Sequence, residues 1–213
     1  MNVVIFGATG FSGRVILQEV LKQKHEVTVL VRKKSRLPLV RDNLTVVEGD
    51  AMDRDIVRHV LTGKDAVMQC LGVGGKGDGK PNTFVSQATQ IIVEEMESLH
   101  MQRLIVMSNV GAGNSRAFQP RFFNKIILPY FMKWLKVIID DKDRMEPIVM
   151  NSKTLWTIVR CPNIVDKPAI GIIRPTLDGK GLKLSVTVHD LANFMVKQLT
   201  DQTYVLQAPS VSN

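Results

Sequence analysis

The chain has 213 residues and a net charge of +8, with 45% hydrophobic and 23% charged residues. This length is enough for one domain with a sizeable core. No apolar run reaches the roughly 18 residues of a membrane-spanning helix, and the first residues lack the pattern of a secretory signal. The two cysteines, Cys70 and Cys161, do not indicate a disulfide framework. We therefore expect a cytoplasmic domain with no transmembrane segment.

The excess of positive charge suggests an acidic partner. The basic residues are spread along the chain without a nucleic-acid-binding motif, so we expect no nucleic-acid partner. A phosphorylated cofactor or an anionic substrate would use the same charge. A basic surface without a specific partner would have the same composition.

Short apolar runs alternate with amphipathic stretches along the first half of the chain. β-Branched and aliphatic residues predict strands at 2–6, 27–31, 44–47, 66–71 and 104–107. Helices are predicted after the first strand, over 53–61 with Asp53 as the N-cap, and over 83–99. Strands separated by helices imply right-handed βαβ units and a parallel sheet covered on both faces.

The second half of the chain is less regular. It predicts a helix that ends over 140–152, a strand at 156–160, a loop-rich stretch at 165–183, a helix at 190–199 with Asp190 as its N-cap, and an edge strand at 204–207. No linker or internal repeat divides the sequence. We therefore expect one α/β domain over 1–213, a doubly wound, Rossmann-like parallel sheet whose substrate pocket is formed mainly by 108–139 and 161–183.

A glycine-rich turn follows the first strand and opens the first helix, with the GxxGxxG spacing of short-chain dehydrogenases/reductases. Its first glycine permits a tight turn, its second lets a pyrophosphate approach the backbone, and its third lets the helix pack against the strand. Backbone N–H groups and hydroxyls then face the phosphates. We assign dinucleotide contacts to Gly7, Thr9, Gly10, Phe11, Ser12 and Gly13. A glycine turn without a cofactor is the alternative.

The end of the second strand indicates which dinucleotide is bound. NAD-binding proteins usually place Asp or Glu about 20 residues beyond the glycines. Here the strand is followed by cations and no carboxylate. We predict that NADPH is the cofactor and that its 2′-phosphate is held by Arg32, Lys33, Ser35 and Arg36. A solvated basic loop would have the same sequence.

Several stretches carry a resemblance to a known family: Ile5-Phe6-Gly7-Ala8-Thr9-Gly10, Glu26-Val27-Thr28-Val29-Leu30-Val31-Arg32, Asp140-Asp141 with Arg144-Met145, and Thr176-Leu177-Asp178-Gly179. The chain resembles the biliverdin-IXβ reductase family, also called NADPH-dependent flavin reductases, along nearly its whole length and most specifically over 1–72. The resemblance implies a monomeric, atypical short-chain reductase that transfers hydride from NADPH to a flavin or a linear tetrapyrrole, both planar small molecules. The family lacks the usual Tyr-xxx-Lys pair, and Tyr130 and Lys133 are three residues apart here.

Further cofactor contacts are predicted at the ends of later strands. Asp50 and Ala51 follow the third strand and are expected to border the adenine, although Asp50 could equally be structural. Packing and backbone contacts to the cofactor are assigned to Leu71, Gly72, Cys161, Pro162 and Ile164. No metal site is predicted.

The chain departs from the family pattern at the expected catalytic positions. Asn109 stands where the family has a serine after the fifth strand, with Ser108 before it, and Asn163 stands where the family has a histidine. Asn cannot transfer a proton near neutral pH. We expect Ser108 and Asn109 to orient the nicotinamide or substrate and Asn163 to line the pocket. The loop at 72–81 is rich in glycine, with Lys76 and Lys80 available to cover the cofactor.

Residues 116–139 combine aromatic side chains with five cations. Pro129 predicts the first turn of a helix. A core helix that also forms a pocket wall is the favoured interpretation. A lid over a planar anionic substrate and a helix that binds a membrane surface or a partner are the alternatives.

Two other functions are compatible with these features. One is a non-catalytic NADPH-binding redox sensor or assembly factor, which the two asparagines favour. The other is reduction of a quinone or a carbonyl compound, which differs only in substrate. Oxidation of NADPH in the presence of substrate separates an enzyme from a sensor.

Overall fold

The computed structural model describes residues 1–34, 37, 39–73 and 80–213. The strands are β1 (Asn2–Phe6), β2 (Glu26–Val31), β3 (Leu44–Glu48), β4 (Ala66–Gln69), β5 (Arg103–Asn109), β6 (Leu155–Cys161), β7 (Asn163–Val165), β8 (Arg174–Thr176), β9 (Ser185–Thr187) and β10 (Ser210–Ser212). The α-helices are α1 (Phe11–Lys22), α2 (Arg54–Leu61), α3 (Phe84–Ser98), α4 (Lys133–Met150) and α5 (Val188–Lys197). A 3₁₀-helix, Gly113–Phe118, and a π-helical segment, Phe123–Phe131, connect β5 to α4.

The main sheet has the order β3-β2-β1-β4-β5-β6-β10-β8, and β7 pairs with β9 in a small second sheet. All neighbouring strands of the main sheet are parallel except β8 and β10. The chain runs outward from β1 to β3 and then returns to β4, so the strand order reverses between β1 and β4. Ligands of doubly wound sheets bind beyond the carboxyl ends of the strands at such a reversal. The predicted Rossmann-like α/β fold is confirmed.

Two helical layers cover the sheet because side chains of buried strands alternate between its faces. In β1, Val3 and Ile5 pack with α1 and α5, whereas Val4 and Phe6 pack with α2, α3 and α4. The strands therefore consist of nearly continuous apolar residues, as expected for a sheet buried on both sides. Among the described residues, no helix is long and apolar enough to cross a membrane.

The predicted edge strand at 204–207 is wrong. Residues 204–206 lie in a turn in which the amide of Val205 donates to the carbonyl of Gln202 (3.1 Å), and Gln207 forms only an isolated bridge with Thr157 of β6. Leu206 adopts a φ of 57°, which is incompatible with an extended strand. The last strand is β10, which lies between β6 and β8.

Two predicted helix starts are also wrong. Pro129 lies inside the π-helical segment, and α4 begins only at Lys133, after Met132 leaves helical geometry with a φ of −126° and a ψ of 45°. Asp190 is not the N-cap of α5. Thr187 is the N-cap, and its side chain accepts from the amide of Asp190 in the first turn. The predicted N-cap Asp53 is confirmed, because its side chain accepts from the amides of Asp55 and Ile56.

Candidate cofactor site

The turn between β1 and α1 can be built only with glycine at two positions. Gly7 has a φ of 87°, and a Cβ there would lie 2.4 Å from the carbonyl oxygen of Cys70, the residue that follows β4. A Cβ at Gly13 would lie 2.1 Å from the carbonyl oxygen of Gly7. Side chains at these positions would separate α1 from β1 and β1 from β4. The turn therefore brings the start of α1 against the carboxyl ends of both strands.

The start of α1 leaves backbone donors free for a ligand. Gly10 is the N-cap, has no side chain to cap the first turn, and no acidic residue lies in that turn. The first amides of a helix have no partner within the helix, and the helix dipole adds partial positive charge there. The helix start therefore has the properties of a site for a pyrophosphate.

A cavity of about 340 Å³ lies beside this helix start, at the strand reversal. It is lined by three segments that the sequence analysis singled out and by the ends of β2, β4 and β5. The lining residues are Gly7, Thr9, Gly10, Phe11, Ser12, Gly13, Leu30, Val31, Arg32, Gly49, Asp50, Ala51, Cys70, Leu71, Gly72, Val73, Phe84 and Met107. The structure thus brings the predicted glycine-turn, adenine-side and β4-end residues to one cavity.

The basic stretch after β2 lies at one end of this cavity. Arg32 lines the cavity, whereas the exposed Lys33 does not. Ser35 and Arg36, also predicted to hold the 2′-phosphate, lie outside the described residues. The amide of Lys34 donates to Oε2 of Glu48 (2.9 Å), so a carboxylate at the end of β3 fixes the backbone of this stretch.

Asp50 has a structural contact and also lines the cavity. Its Oδ1 accepts from the amide of Met52 (2.9 Å) and so fixes the turn that leads to α2. The carboxylate is exposed, whereas the neighbouring Ala51 is buried. Both interpretations of Asp50 given by the sequence, adenine contact and turn stabilisation, are compatible with this position.

Lys142 is a candidate site residue that the sequence analysis missed. This α4 lysine is buried and does not itself line the cavity, but it lies behind two residues that do. Its Nζ donates to the carbonyl oxygens of Met107 (2.7 Å) and Leu71 (3.1 Å). Burial lowers the pKa of Lys142 to about 8. The signal was its spacing: Lys142 lies three residues after Ile139 and three before Met145, on the buried stripe of the helix.

Ser108 is not among the residues that line this cavity, and its contact with the nicotinamide stays a prediction. The hydroxyl is buried and donates to Oε1 of Glu146 on α4 (2.7 Å). Glu146 also accepts from Nη2 of Arg160 (2.6 Å), and Nη1 of Arg160 donates to Oδ1 of Asn114 (2.6 Å). Ser108 is thus part of a buried polar network between β5, β6 and α4.

The two asparagines at the family's catalytic positions also lie outside the cavity lining. Asn109 is partly buried at the end of β5, and its carbonyl accepts from the amide of Ala112 (3.1 Å). Asn163 is exposed, and its amide donates to the carbonyl of Leu184 (3.2 Å). Contact of these side chains with a nicotinamide or a substrate stays a prediction.

The end of β6 and the residues that follow it are likewise separate from the cavity lining. Cys161 is buried, and burial raises the pKa of its thiol well above the usual range. Pro162 and Ile164 are partly buried. None of the lining residues comes from 108–139 or 161–183. A substrate pocket formed by those ranges therefore stays a prediction.

Comparison with known proteins agrees with this geometry. The chain matches the NAD(P)H-binding family over residues 7–202. Its fold is similar to that of the oxidoreductase ylbE from Lactococcus lactis, with a TM-score of 0.83, 18% identity, and coverage of 100% of this chain and 91% of ylbE. At such identities the likeness shows the fold alone.

Two further structures have informative descriptions. One is ChuY, an anaerobilin reductase from Escherichia coli O157:H7, with a TM-score of 0.79, 17% identity, and coverage of 100% of this chain and 97% of ChuY. The other is a short-chain dehydrogenase/reductase from Veillonella parvula in complex with NADP, with a TM-score of 0.80, 17% identity, and coverage of 100% and 94%. The family match spans most of the sequence, and this chain therefore belongs to the NAD(P)H-binding family.

Proposed function

We propose that this protein is an NADPH-dependent reductase of a planar conjugated substrate, a flavin or a linear tetrapyrrole. The observation that carries the proposal is the meeting of two features at one cavity. The start of α1, with its free amides, lines this cavity, and so do Leu71 and Met107, whose backbone carbonyls accept from Lys142. One feature suits a pyrophosphate, and the other suits the hydroxyl groups of a ribose.

The glycine turn would hold the pyrophosphate. Gly7 and Gly13 remove the two Cβ atoms that would fill the space between β1, β4 and α1, and the N-cap Gly10 leaves the first amides accessible. Thr9 and Ser12 add hydroxyl donors at the same end. The dinucleotide supplies a hydride when bound, and the chain supplies position and charge.

Arg32 would select NADPH over NADH. Its guanidinium lies at the end of β2 where NAD-binding proteins usually carry a carboxylate for the ribose hydroxyls. Guanidinium and phosphate can form paired, charge-assisted hydrogen bonds. Lys33 adds positive charge beside it.

Lys142 would hold a cofactor hydroxyl near the ends of β4 and β5. An ammonium group has three donors, and two of them are used by Leu71 and Met107. The remaining contact is the weak acceptor Sδ of Met145 at 3.7 Å. A hydroxyl oxygen is a better acceptor than this sulfur and would replace it.

The substrate class rests on the family resemblance, and the fold similarity to the anaerobilin reductase ChuY supports it. A planar ring stacked on the nicotinamide would place donor and acceptor atoms in contact, which supplies much of the catalytic effect. Solvent can deliver the accompanying proton, so the asparagines at 109 and 163 are compatible with reduction of such substrates.

A non-catalytic NADPH-binding protein is the second candidate. Among the described residues lining the cavity, only Arg32, Asp50 and Cys70 have ionisable side chains. Burial raises the pKa of Cys70 to about 12, so this thiol is a poor proton donor. A cavity without an effective proton-donating side chain is compatible with a redox sensor or an assembly factor, which transfers no proton.

An assay of NADPH oxidation separates the two candidates. The absorbance of NADPH is measured over time with the purified protein and FMN, and then with the purified protein and biliverdin. We expect NADPH oxidation that depends on both protein and substrate and saturates with substrate. Tight binding of NADPH without turnover of either substrate would contradict the reductase. A quinone in a third reaction tests the remaining substrate class.

A further inference from the structure

The π-helical segment Phe123–Phe131 and its flanking residues expose an unusual amount of apolar surface. The exposed fractions are 62% for Phe122, 71% for Tyr130 and 76% for Phe131, and Ile126 is 42% exposed. Large apolar side chains that are exposed singly are common, but contiguous patches mark interaction sites. None of these four side chains lines the candidate cofactor cavity.

The segment is fixed on the protein by its other side. Leu128 is buried and packs with Ala112 and Ile139, and Met132 and Leu135 pack against this cluster. The amide of Met132 donates to the carbonyl of Ile127 (3.0 Å), the i to i+5 bond of a π-helix. The packing of Leu128 therefore fixes the segment on the protein, while the exposed apolar side chains lie outside this buried cluster.

The charge around the apolar patch has one sign. From residue 117 to residue 139 the chain has four cations and no carboxylate. The cations are Arg121, Lys125, Lys133 and Lys136, and all four are exposed. Lys136 pairs with Asp140 (2.5 Å), whereas in the described part of the chain the other three form no ion pair.

We propose that this aromatic and cationic face, defined by Arg121, Phe122, Lys125, Ile126, Tyr130 and Phe131, docks the protein on the surface of an anionic lipid bilayer. Aromatic and aliphatic side chains would enter the boundary between headgroups and acyl chains. The cations would bind the phosphates of the lipids and the carboxylates of phosphatidylserine headgroups. An acidic protein could pair with the cations, but charge pairing alone would not account for the four large apolar side chains exposed beside them. An anionic bilayer accounts for both.

Flotation with lipid vesicles tests the proposal on the whole protein. Vesicles of phosphatidylcholine with phosphatidylserine are compared with vesicles of phosphatidylcholine alone. We expect flotation with the anionic vesicles only, and a loss of it as salt rises, because screening weakens attraction to a charged surface. Binding that is equal for both compositions, or absent from both, would overturn the proposal.

Matched variants locate the surface. Arg121→Gln with Lys125→Gln should lower partitioning by about tenfold or more, since each cation near an anionic surface contributes several-fold. Tyr130→Ser with Phe131→Ser should lower it similarly, and circular dichroism should show an unchanged fold. The control, Lys22→Gln with Lys24→Asn, removes the same charge at the end of α1 and before β2. It should bind anionic vesicles as the wild type does. Equal loss in the control would overturn the proposal.

A second copy of the chain is the main competing occupant of this face. Sedimentation without lipid detects it. If the protein is a dimer and the double variant Tyr130→Ser with Phe131→Ser is a monomer, the lipid proposal is overturned. A monomeric wild-type protein that floats with anionic vesicles supports it. Neither readout depends on cofactor binding or turnover.

Discussion

The two halves of this molecule differ in how their residues reach the candidate site. In the half from β1 to β4, the cavity is lined mainly by the turns that directly follow the strands. After β5, the polar side chains turn to partners far along the chain, as Ser108 does with Glu146. The comparison indicates that cofactor binding depends on local backbone geometry, whereas the second half contributes stability, the buried Lys142 and an outward-facing surface.

The largest effect on cofactor binding is expected from Gly13→Val. Its side chain would collide with the carbonyl of Gly7, where even a Cβ lies 2.1 Å away. Loss of one or two charge-assisted hydrogen bonds to phosphate should weaken NADPH binding by about a hundredfold. Overpacking should lower stability by about 1–3 kcal/mol. Fluorescence titration with NADPH and thermal unfolding measure both quantities.

Gly72→Ala is the control for the effect on stability alone, because Gly72 itself lines the cavity. A Cβ at Gly72 meets no atom within 4 Å. We expect its unfolding free energy to stay within about 0.5 kcal/mol of the wild type. If Gly13→Val binds NADPH as the wild type does, the half from β1 to β4 does not hold the cofactor.

The buried network of the second half should affect stability more than cofactor binding. Glu146→Gln leaves the guanidinium of Arg160 buried without its counter-charge, which should cost about 3–5 kcal/mol of unfolding free energy. Ser108→Ala removes one hydrogen bond and should cost about 1 kcal/mol. Denaturant unfolding checks both values. A Ser108→Ala variant with wild-type stability and lost turnover would instead place Ser108 in catalysis.

Lys142→Met tests the one residue of the second half that we assign to the cofactor. We expect NADPH affinity to fall by about tenfold, the size of one lost hydrogen bond to a charged group. Met fills most of the same volume, so the fold should persist. Unchanged affinity would show that Lys142 has only a structural role.

The pH dependence of Lys142 has a defined sign. Its pKa is about 8 in the folded protein and 10.5 ordinarily, because burial disfavours the charged form. Between these values the unfolded chain binds more protons, so stability should rise as pH rises through this window. NADPH affinity should fall above about pH 8 as the ammonium is lost. Both dependences should be absent in Lys142→Met, and urea unfolding and titration over this pH range measure them.

The smallest effect on NADPH binding is expected from Arg32→Gln. Arg32 is exposed, so water and salt weaken its contact with a phosphate. We expect NADPH affinity to fall by about five- to tenfold, or ~1 kcal/mol, and NADH affinity to stay the same. Lys22→Gln, a distant exposed cation, is the control. An equal loss for both cofactors would mean that Arg32 does not contact the 2′-phosphate.

The parts of this account that the sequence could predict are those fixed by local chemistry. The glycine turn and the N-cap Asp53 are examples, because a tight turn or a helix start depends on residues that are neighbours in the chain. Ser108 could not be placed, because its partner Glu146 lies 38 positions away. The apolar residues of 204–207 suit a strand, and the positive φ of Leu206, which belongs to a turn, has no sequence signal.

Titration of the wild-type protein with NADPH, and with NADH in parallel, tests the central claim most directly. The measurement follows the fluorescence of the reduced nicotinamide at constant pH and salt. We predict saturable one-to-one binding of NADPH that is at least about five times tighter than binding of NADH. The contact with the 2′-phosphate should contribute ~1 kcal/mol to the binding free energy of NADPH, and NADH has no such phosphate. Failure to bind either dinucleotide, or tighter binding of NADH, would contradict the assignment of the cavity at the strand reversal to NADPH.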